Sequence, residues 1–173
     1  NTINTRLDVR TVAYILDHSD CKVFIVDRQF QKVASEALAQ INREIIVIDI
    51  DDPYAELGEV PAIGKLEYES FLFTGDKDFK WVRPKDEWQA ISLSYTSGTT
   101  GNPKGVVYHH RGSYLMSMGS VSAWNMPNRL TYLYTVPMFH CNGWGYPWTL
   151  AMLHARVIFV RNIIVKDIFD LID

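Results

Sequence analysis

The sequence has little cysteine, no strong excess of either charge and no long hydrophobic run. Cys21 and Cys141 lie far apart and form no C-x-x-C pair, which argues against a disulfide framework or a cysteine-based zinc site. With 20 acidic and 17 basic residues, the formal net charge of −3 removes the charge-based case for a nucleic acid partner. The apolar stretches are much shorter than the roughly 20 residues that span a bilayer. We therefore expect a soluble, cytoplasmic protein without an integral membrane segment.

The sequence does contain enough apolar material for a folded core. Of its 173 residues, 47% are hydrophobic and 13% are aromatic, a composition that disordered chains do not have. The chain opens at Asn1 without methionine and without the charged and apolar regions of a signal peptide. We therefore expect it to be a piece of a longer protein.

Helical and strand patterns alternate along the chain. Short apolar, β-rich runs predict strands at residues 23–26, 45–48, 91–95, 106–108, 132–136 and 157–160. The segments between and around them predict helices at 9–17, 29–42, 68–73, 110–123, 144–154 and 165–172. Asp8 is the predicted cap of the first helix, and Asp49, Asp51 and Asp52 are predicted to end the second strand before Pro53. Strands separated by helices indicate an α/β fold with a layered, mainly parallel sheet.

The most informative segment is the loop that follows the strand at 91–95. Residues 96–105 combine four hydroxyl side chains, three glycines and Lys104. Glycines allow backbone N–H groups to approach an anion, and hydroxyls and a lysine add donors and positive charge, so the loop is predicted to bind phosphate. An ordinary surface turn is the alternative. The spacing matches neither the Walker motif nor the dinucleotide fingerprint, so the loop belongs to a third class.

The residues of this loop, Tyr-Thr-Ser-Gly-Thr-Thr-Gly-Asn-Pro-Lys-Gly at 95–105, resemble the phosphate-binding signature of the adenylate-forming superfamily. Residues 4–7 and 13–19 resemble the upstream segment of fatty-acid-CoA ligases. Residues 137–144, Pro-Met-Phe-His-Cys-Asn-Gly-Trp, resemble the acyl-site segment of medium- and long-chain fatty acyl-CoA synthetases. The resemblance implies that 1–173 is an internal part of the large N-terminal AMP-binding domain of such an enzyme.

This resemblance also implies an internal division of the chain. Residues 1–50 would form a first βα portion, 51–89 a connector, and 90–173 the portion with the phosphate loop and the acyl site. The mobile C-terminal domain would be absent, together with a metal-binding Glu, a ribose-binding Asp and an adenylation Lys. We therefore expect this piece alone to be inactive.

The implied reaction is that of an acid-thiol ligase. ATP activates a fatty or related aliphatic carboxylic acid to an acyl-adenylate, and coenzyme A then displaces AMP. The partners would be these small molecules and Mg²⁺, and a homodimer is allowed. By resemblance, Lys104 and His140 are catalytic, His140 lies beside the substrate carboxylate, Trp144 gates the acyl tunnel and Thr96 reaches the metal. The residues that would bind the ATP phosphates are Thr96, Ser97, Gly98, Thr99, Thr100, Gly101 and Lys104.

Several alternatives remain open from the residues alone. His140 and Trp144 could be ordinary core side chains. Core packing is favoured for the following residues: Cys141, Trp124, Trp148, Tyr114 and Tyr146. The chain could also be a catalytically silent nucleotide-binding or assembly module of the same fold. A luciferase-like or amino-acid-adenylating domain is a further alternative within the superfamily.

Overall fold

The computed structural model describes residues 1–96 and 101–172, which divide into two compact units. One unit, here called the helix–sheet unit, consists of 3–83 with the described part of 95–105. The other, here called the acyl-segment unit, consists of 1–2, 84–94 and the described part of 106–173. No helix in the described ranges is long and apolar enough to cross a membrane.

The helix–sheet unit begins with helix α1, Val9–His18. The Asp8 carboxylate caps it by accepting a hydrogen bond from the Thr11 N–H, as predicted. The apolar face of α1 and Ala37 form the core cluster of this unit, which includes Val12, Ala13 and Leu16. Strand β1, Val23–Asp27, follows α1 and leads through a short 3-10 turn to helix α2, Gln31–Leu38.

Helix α2 ends earlier than the pattern over 29–42 predicts. The chain leaves the helix at Ala39, and Ile41 packs against the core cluster. Arg43 then donates from its guanidinium to the carbonyl oxygens of Leu16 and Cys21, both at 2.6 Å. These tertiary contacts replace the last helical turn that local propensity favours.

Three parallel strands form the sheet of this unit. β2, Ile46–Ile50, lies between β1 and the short β3, Leu66–Glu67, and helix α3, Tyr68–Phe73, follows β3. Asp49, Asp51 and Asp52 were predicted to end β2. The strand ends at Ile50, directly before Asp51, so the prediction was wrong only for Asp49. Its side chain is fully buried within the strand, where the carboxylate accepts from the Ile63 and Gly64 N–H groups at 2.9 and 2.7 Å. These two donors take the place of water for the buried carboxylate.

The acyl-segment unit contains the remaining helices and two pairs of strands. β4, Ala90–Thr96, pairs with β5, Lys104–His109, and both strands pass from one unit into the other. Helix α4, His110–Ala123, follows directly, capped by the His109 ring. The remaining elements are β6, Thr131–Tyr134; the single turn α5, Cys141–Trp144; α6, Tyr146–Met152; β7, Arg156–Phe159; and α7, Val165–Ile172.

Pairing in the acyl-segment unit completes the fold class. β6 and β7 run parallel, with Thr131 opposite Arg156 and Tyr134 opposite Phe159, and α6 lies between them in the chain. Parallel strands joined through helices occur in both units, so the predicted α/β class is confirmed. The strands form three small sheets within the described ranges.

Candidate active site

Strand β4 carries the start of the predicted phosphate loop. Thr96 is its last residue and is exposed, and Lys104 opens β5 with an exposed side chain that forms no ion pair with any described residue. Gly101 has a φ of +154°, a value that side-chain-bearing residues rarely adopt. The predicted ligands Ser97, Gly98, Thr99 and Thr100 lie outside the described residues. Thr96, Gly101 and Lys104 are accessible to a solvent-borne anion.

Tyr95 holds the end of β4 against helix α1 within the helix–sheet unit. Its hydroxyl oxygen lies 2.7 Å from Nδ1 of His18, and the His18 ring stacks on Tyr14 at a centroid distance of 5.1 Å. Burial raises the pKa of the Tyr95 phenol, which therefore stays neutral and able to donate. Tyr95 immediately precedes Thr96, so this contact fixes the backbone from which the loop departs.

The described residues do not by themselves form a metal site. Residues 1–96 and 101–172 contain no cluster of three or more His, Cys, Asp or Glu side chains that could hold a metal ion. Thr96 offers one neutral hydroxyl, whereas Mg²⁺ in proteins is usually bound through carboxylates and substrate phosphates. The described residues therefore do not by themselves complete a site for the ion.

The predicted acyl-site segment folds into a left-handed turn. The φ angles of Cys141, Asn142, Gly143, Trp144 and Gly145 are 44°, 45°, 63°, 57° and 69°. A left-handed helical residue other than glycine costs roughly 1–2 kcal/mol. The turn therefore needs contacts that compensate for the strain of its three side-chain-bearing residues.

Those contacts come from a buried polar side chain and two buried hydroxyl groups. Asn142 accepts through Oδ1 from the Ser92 hydroxyl and donates through Nδ2 to the Thr2 hydroxyl oxygen, both at 3.0 Å. The Tyr134 hydroxyl donates to the Gly143 carbonyl oxygen at 2.9 Å. Burial, with two neighbouring tyrosines, raises the pKa of Tyr134 to about 12, which preserves this donor over the physiological range. The Thr149 hydroxyl donates to the carbonyl of the last residue of the turn.

Two glycines of the turn are required by close approach. A Cβ at Gly143 would lie 2.1 Å from the Tyr134 hydroxyl oxygen, and one at Gly145 would lie 1.7 Å from Cε of Met116. Both residues also have positive φ. A side chain at Gly143 would displace the Tyr134 hydroxyl that holds the turn, whereas one at Gly145 would displace the flexible end of Met116 and strain the backbone.

The turn leaves the predicted substrate residues exposed. His140 is the N-cap residue of α5, and its carbonyl oxygen accepts from the Gly143 and Trp144 N–H groups. The centroid of its ring lies 4.8 Å from that of Phe139. Trp144 is 65% exposed, so neither side chain is buried in the core of this unit. Cys141 is exposed as well, and the prediction that it packs in the core was wrong. The reason is the left-handed backbone of the turn, which directs the Cys141 side chain toward solvent.

A mainly apolar pocket of about 360 Å³ opens beside the turn. Trp144 and Cys141 contribute from the turn, and Met116 contributes from α4. Trp148, which was expected to fill the core, is half-buried and lines the same pocket. The same expectation was wrong for Trp124 and Tyr114, which are 71% and 58% exposed. The full lining is Tyr108, Gly112, Ser113, Met116, Cys141, Trp144, Gly145 and Trp148.

Sequence reasoning missed the residues that hold the turn. Asn142 and Tyr134 carry no catalytic pattern, and only the Asn142–Gly143 pair signals a left-handed conformation, because asparagine and glycine tolerate positive φ best. Their hydrogen bonds join residues up to 140 positions apart. Such partners become visible only in the folded chain.

A family model described as AMP-binding enzyme matches residues 1–173. The chain belongs to this family. It is 42% identical to the acetate/butyrate–CoA ligase AAE7, peroxisomal, of Arabidopsis thaliana, 41% identical to the acetate–CoA ligase CCL3 of Humulus lupulus and 40% identical to the 2-methylpropanoate–CoA ligase CCL4 of Humulus lupulus. Each match covers 99% of this chain and 32% of the relative. The chain thus spans about a third of their length.

Two solved structures match nearly the whole chain in fold. The inhibitor-bound N-terminal domain of FACL13 from Mycobacterium tuberculosis has a TM-score of 0.75 and 24% identity, and the match covers 98% of this chain and 39% of that one. A red-emitting luciferase from Phrixothrix hirtus has a TM-score of 0.75 and 21% identity, with 99% and 33% covered. At these identities the matches show the fold alone.

Proposed function

We propose that this chain is the central part of the large N-terminal domain of an ATP-dependent acid-thiol ligase. The enzyme converts an aliphatic carboxylic acid and ATP to an acyl-adenylate and pyrophosphate. It then transfers the acyl group to the thiol of coenzyme A with release of AMP. Residues 1–50, 51–89 and 90–173 serve as the first βα portion, the connector and the ligand-binding portion. The observation that carries the proposal is the phosphate-loop motif at 95–105 in a chain of the AMP-binding family.

The phosphate loop supplies positive charge where two anions must meet. Two like unit charges about 4 Å apart repel by about 4 kcal/mol at an effective dielectric constant near 20. Lys104, together with hydroxyl and backbone donors from Thr96 to Gly101, binds the β- and γ-phosphates that leave as pyrophosphate. The exposure of Thr96, Gly101 and Lys104 supports this role. Mg²⁺, with Thr96 as one ligand, belongs to the proposal and needs ligands beyond those described.

The left-handed turn and the apolar pocket supply the acid site. His140 lies beside the carboxylate as it attacks the α-phosphate, and Trp144 covers the mouth of the pocket that takes the aliphatic chain. The pocket of about 360 Å³ and the exposure of both side chains support these roles. Three relatives carry names with short acids, so acetate, butyrate and 2-methylpropanoate are the first candidates, ahead of longer fatty acids.

Two further features belong to the proposal. A cytoplasmic location remains a prediction, since two relatives carry the word peroxisomal in their names. A homodimer also remains a prediction, and sedimentation of the full-length protein tests it.

ATP–pyrophosphate exchange by the full-length protein is the direct test. We expect at least one acid in a series from acetate to long-chain fatty acids to stimulate exchange, and coenzyme A to release the matching thioester. ATP binding without exchange for any acid would instead indicate a catalytically silent nucleotide-binding module. Exchange with amino acids alone would indicate an amino-acid-adenylating domain.

A further inference from the structure

The left-handed turn at 141–145 is held from its buried side and open on the other. Asn142 is 6% exposed, whereas Trp144 is 65% exposed and Cys141 is exposed. The buried amide of Asn142 and the carbonyls of Gly143 and Gly145 all find partners in the interior of the acyl-segment unit. The turn thus directs the Asn142 side chain toward the interior and the Cys141 and Trp144 side chains toward solvent.

The inward contacts connect the turn to three separate parts of the unit. Ser92 lies on β4, Tyr134 lies on β6, and Thr2 lies near the start of the chain. The Thr2 hydroxyl, which accepts from Asn142, also donates to the Met138 carbonyl oxygen at 2.8 Å. Both ends of the segment from Met138 to Gly143 are therefore tied to groups outside it, and His140 lies between the two ties.

From this arrangement we propose that Asn142 and Tyr134 are positioning residues for the acid site. The Asn142 amide and the Tyr134 hydroxyl hold the backbone in its left-handed form. That form places Trp144 in the lining of the apolar pocket and leaves His140 exposed directly before the turn. Neither positioning residue touches the substrate. The expected kinetic effect rests on the proposed function. The stabilisation of the turn by these two side chains does not depend on that function.

Two variants of the full-length protein separate the hydrogen bonds from the backbone preference. Asn142→Gly removes the amide and keeps a residue that adopts positive φ without strain. Tyr134→Phe removes only the donor to Gly143 and keeps the ring. Tyr132→Phe is the matched control, because Tyr132 lies on the same strand and its hydroxyl makes no hydrogen bond to any described residue.

The first measurement is amide hydrogen exchange, which needs no activity. We expect exchange of residues 139–145 to be roughly tenfold faster in Asn142→Gly and Tyr134→Phe, with β7 unchanged and Tyr132→Phe like the unsubstituted protein. Unchanged protection of 139–145 in both variants would overturn the proposal. Faster exchange throughout the unit would also overturn it, because it would show a general loss of stability.

The second measurement is the KM for each substrate in pyrophosphate exchange. We expect the KM for the acid to rise roughly tenfold in both variants, while the KM for ATP stays within about twofold of its original value. Equal changes in the two KM values would contradict a role at the acid site. If no acid stimulates exchange even in the unsubstituted protein, the proposed function fails, and hydrogen exchange alone decides whether these residues hold the turn.

Discussion

The hydroxyl oxygen of Tyr95 lies 2.7 Å from Nδ1 of His18, which joins the end of strand β4 to the last turn of helix α1. Tyr95 directly precedes Thr96, the first residue of the proposed phosphate loop. His18 is itself held by ring stacking on Tyr14. The start of the loop is therefore anchored by a contact between side chains 77 residues apart.

Loss of this contact is expected to weaken ATP binding. Tyr95→Phe removes the hydroxyl and keeps the ring, so the end of β4 gains freedom that ATP binding must then restrict. We expect the KM for ATP to rise roughly three- to tenfold, with the KM for the acid unchanged. Tyr54→Phe, at an 89% exposed position, is the control. The same rise for both substrates would contradict an effect confined to the phosphate loop.

Replacement of Lys104 by alanine tests the charge of the phosphate loop. We expect Lys104→Ala to slow adenylation roughly 100-fold and to leave thioester formation from supplied acyl-adenylate much less affected, because pyrophosphate has already left in the second step. Single-turnover rates of the two half-reactions measure the difference. Lys65→Ala, at another exposed lysine of the same unit, controls for a general effect of charge. Equal losses in both half-reactions would indicate a structural role for Lys104.

Trp144 is expected to contribute to acid binding through its indole ring. Trp144→Ala removes one of the two indole rings that line the pocket, so we expect the KM for butyrate to rise roughly tenfold while the KM for acetate changes less. Trp124, which is 71% exposed and absent from the pocket lining, provides the control substitution Trp124→Ala. An equal effect of the two substitutions, or an equal effect on the two acids, would argue against contact between Trp144 and the aliphatic chain.

The buried phenol of Tyr134 predicts a specific loss of stability in alkali. Its pKa is raised from 10.0 to about 12, mainly by burial, so the folded protein keeps the proton that the unfolded chain releases first. The stabilisation is complete below pH 10 and is lost as the pH rises toward 12. The difference in free energy of unfolding between the unsubstituted protein and Tyr134→Phe should therefore shrink over this interval.

Urea unfolding at several pH values measures this difference. Tyr114→Phe, which changes a tyrosine that is 58% exposed, should show no comparable dependence on pH. A constant difference between the unsubstituted protein and Tyr134→Phe from pH 9 to pH 12 would show that the buried phenol is not the cause.

Much of the fold follows from local pattern. Helices α1, α3 and α4 and strand β1 occur where apolar spacing and capping residues predict them, because these signals lie within a few neighbouring residues. Strand β3 escaped prediction, since its two residues pair with β2 across a connector rich in glycine and proline. Asp49 misled for a related reason, because its partners are backbone groups 14 and 15 residues away.

The candidate site also has one part that the sequence reveals and another that only the folded chain reveals. The motif at 95–105 is contiguous, so the amino-acid sequence by itself determined the family and indicated phosphate binding at Lys104. The tertiary structure alone decided the conformation of the acyl segment, because a left-handed turn is unfavourable in isolation and depends on Asn142 and Tyr134 finding partners distant in the chain. Local chemistry specifies which groups are available, and distant hydrogen bonds determine where those groups point.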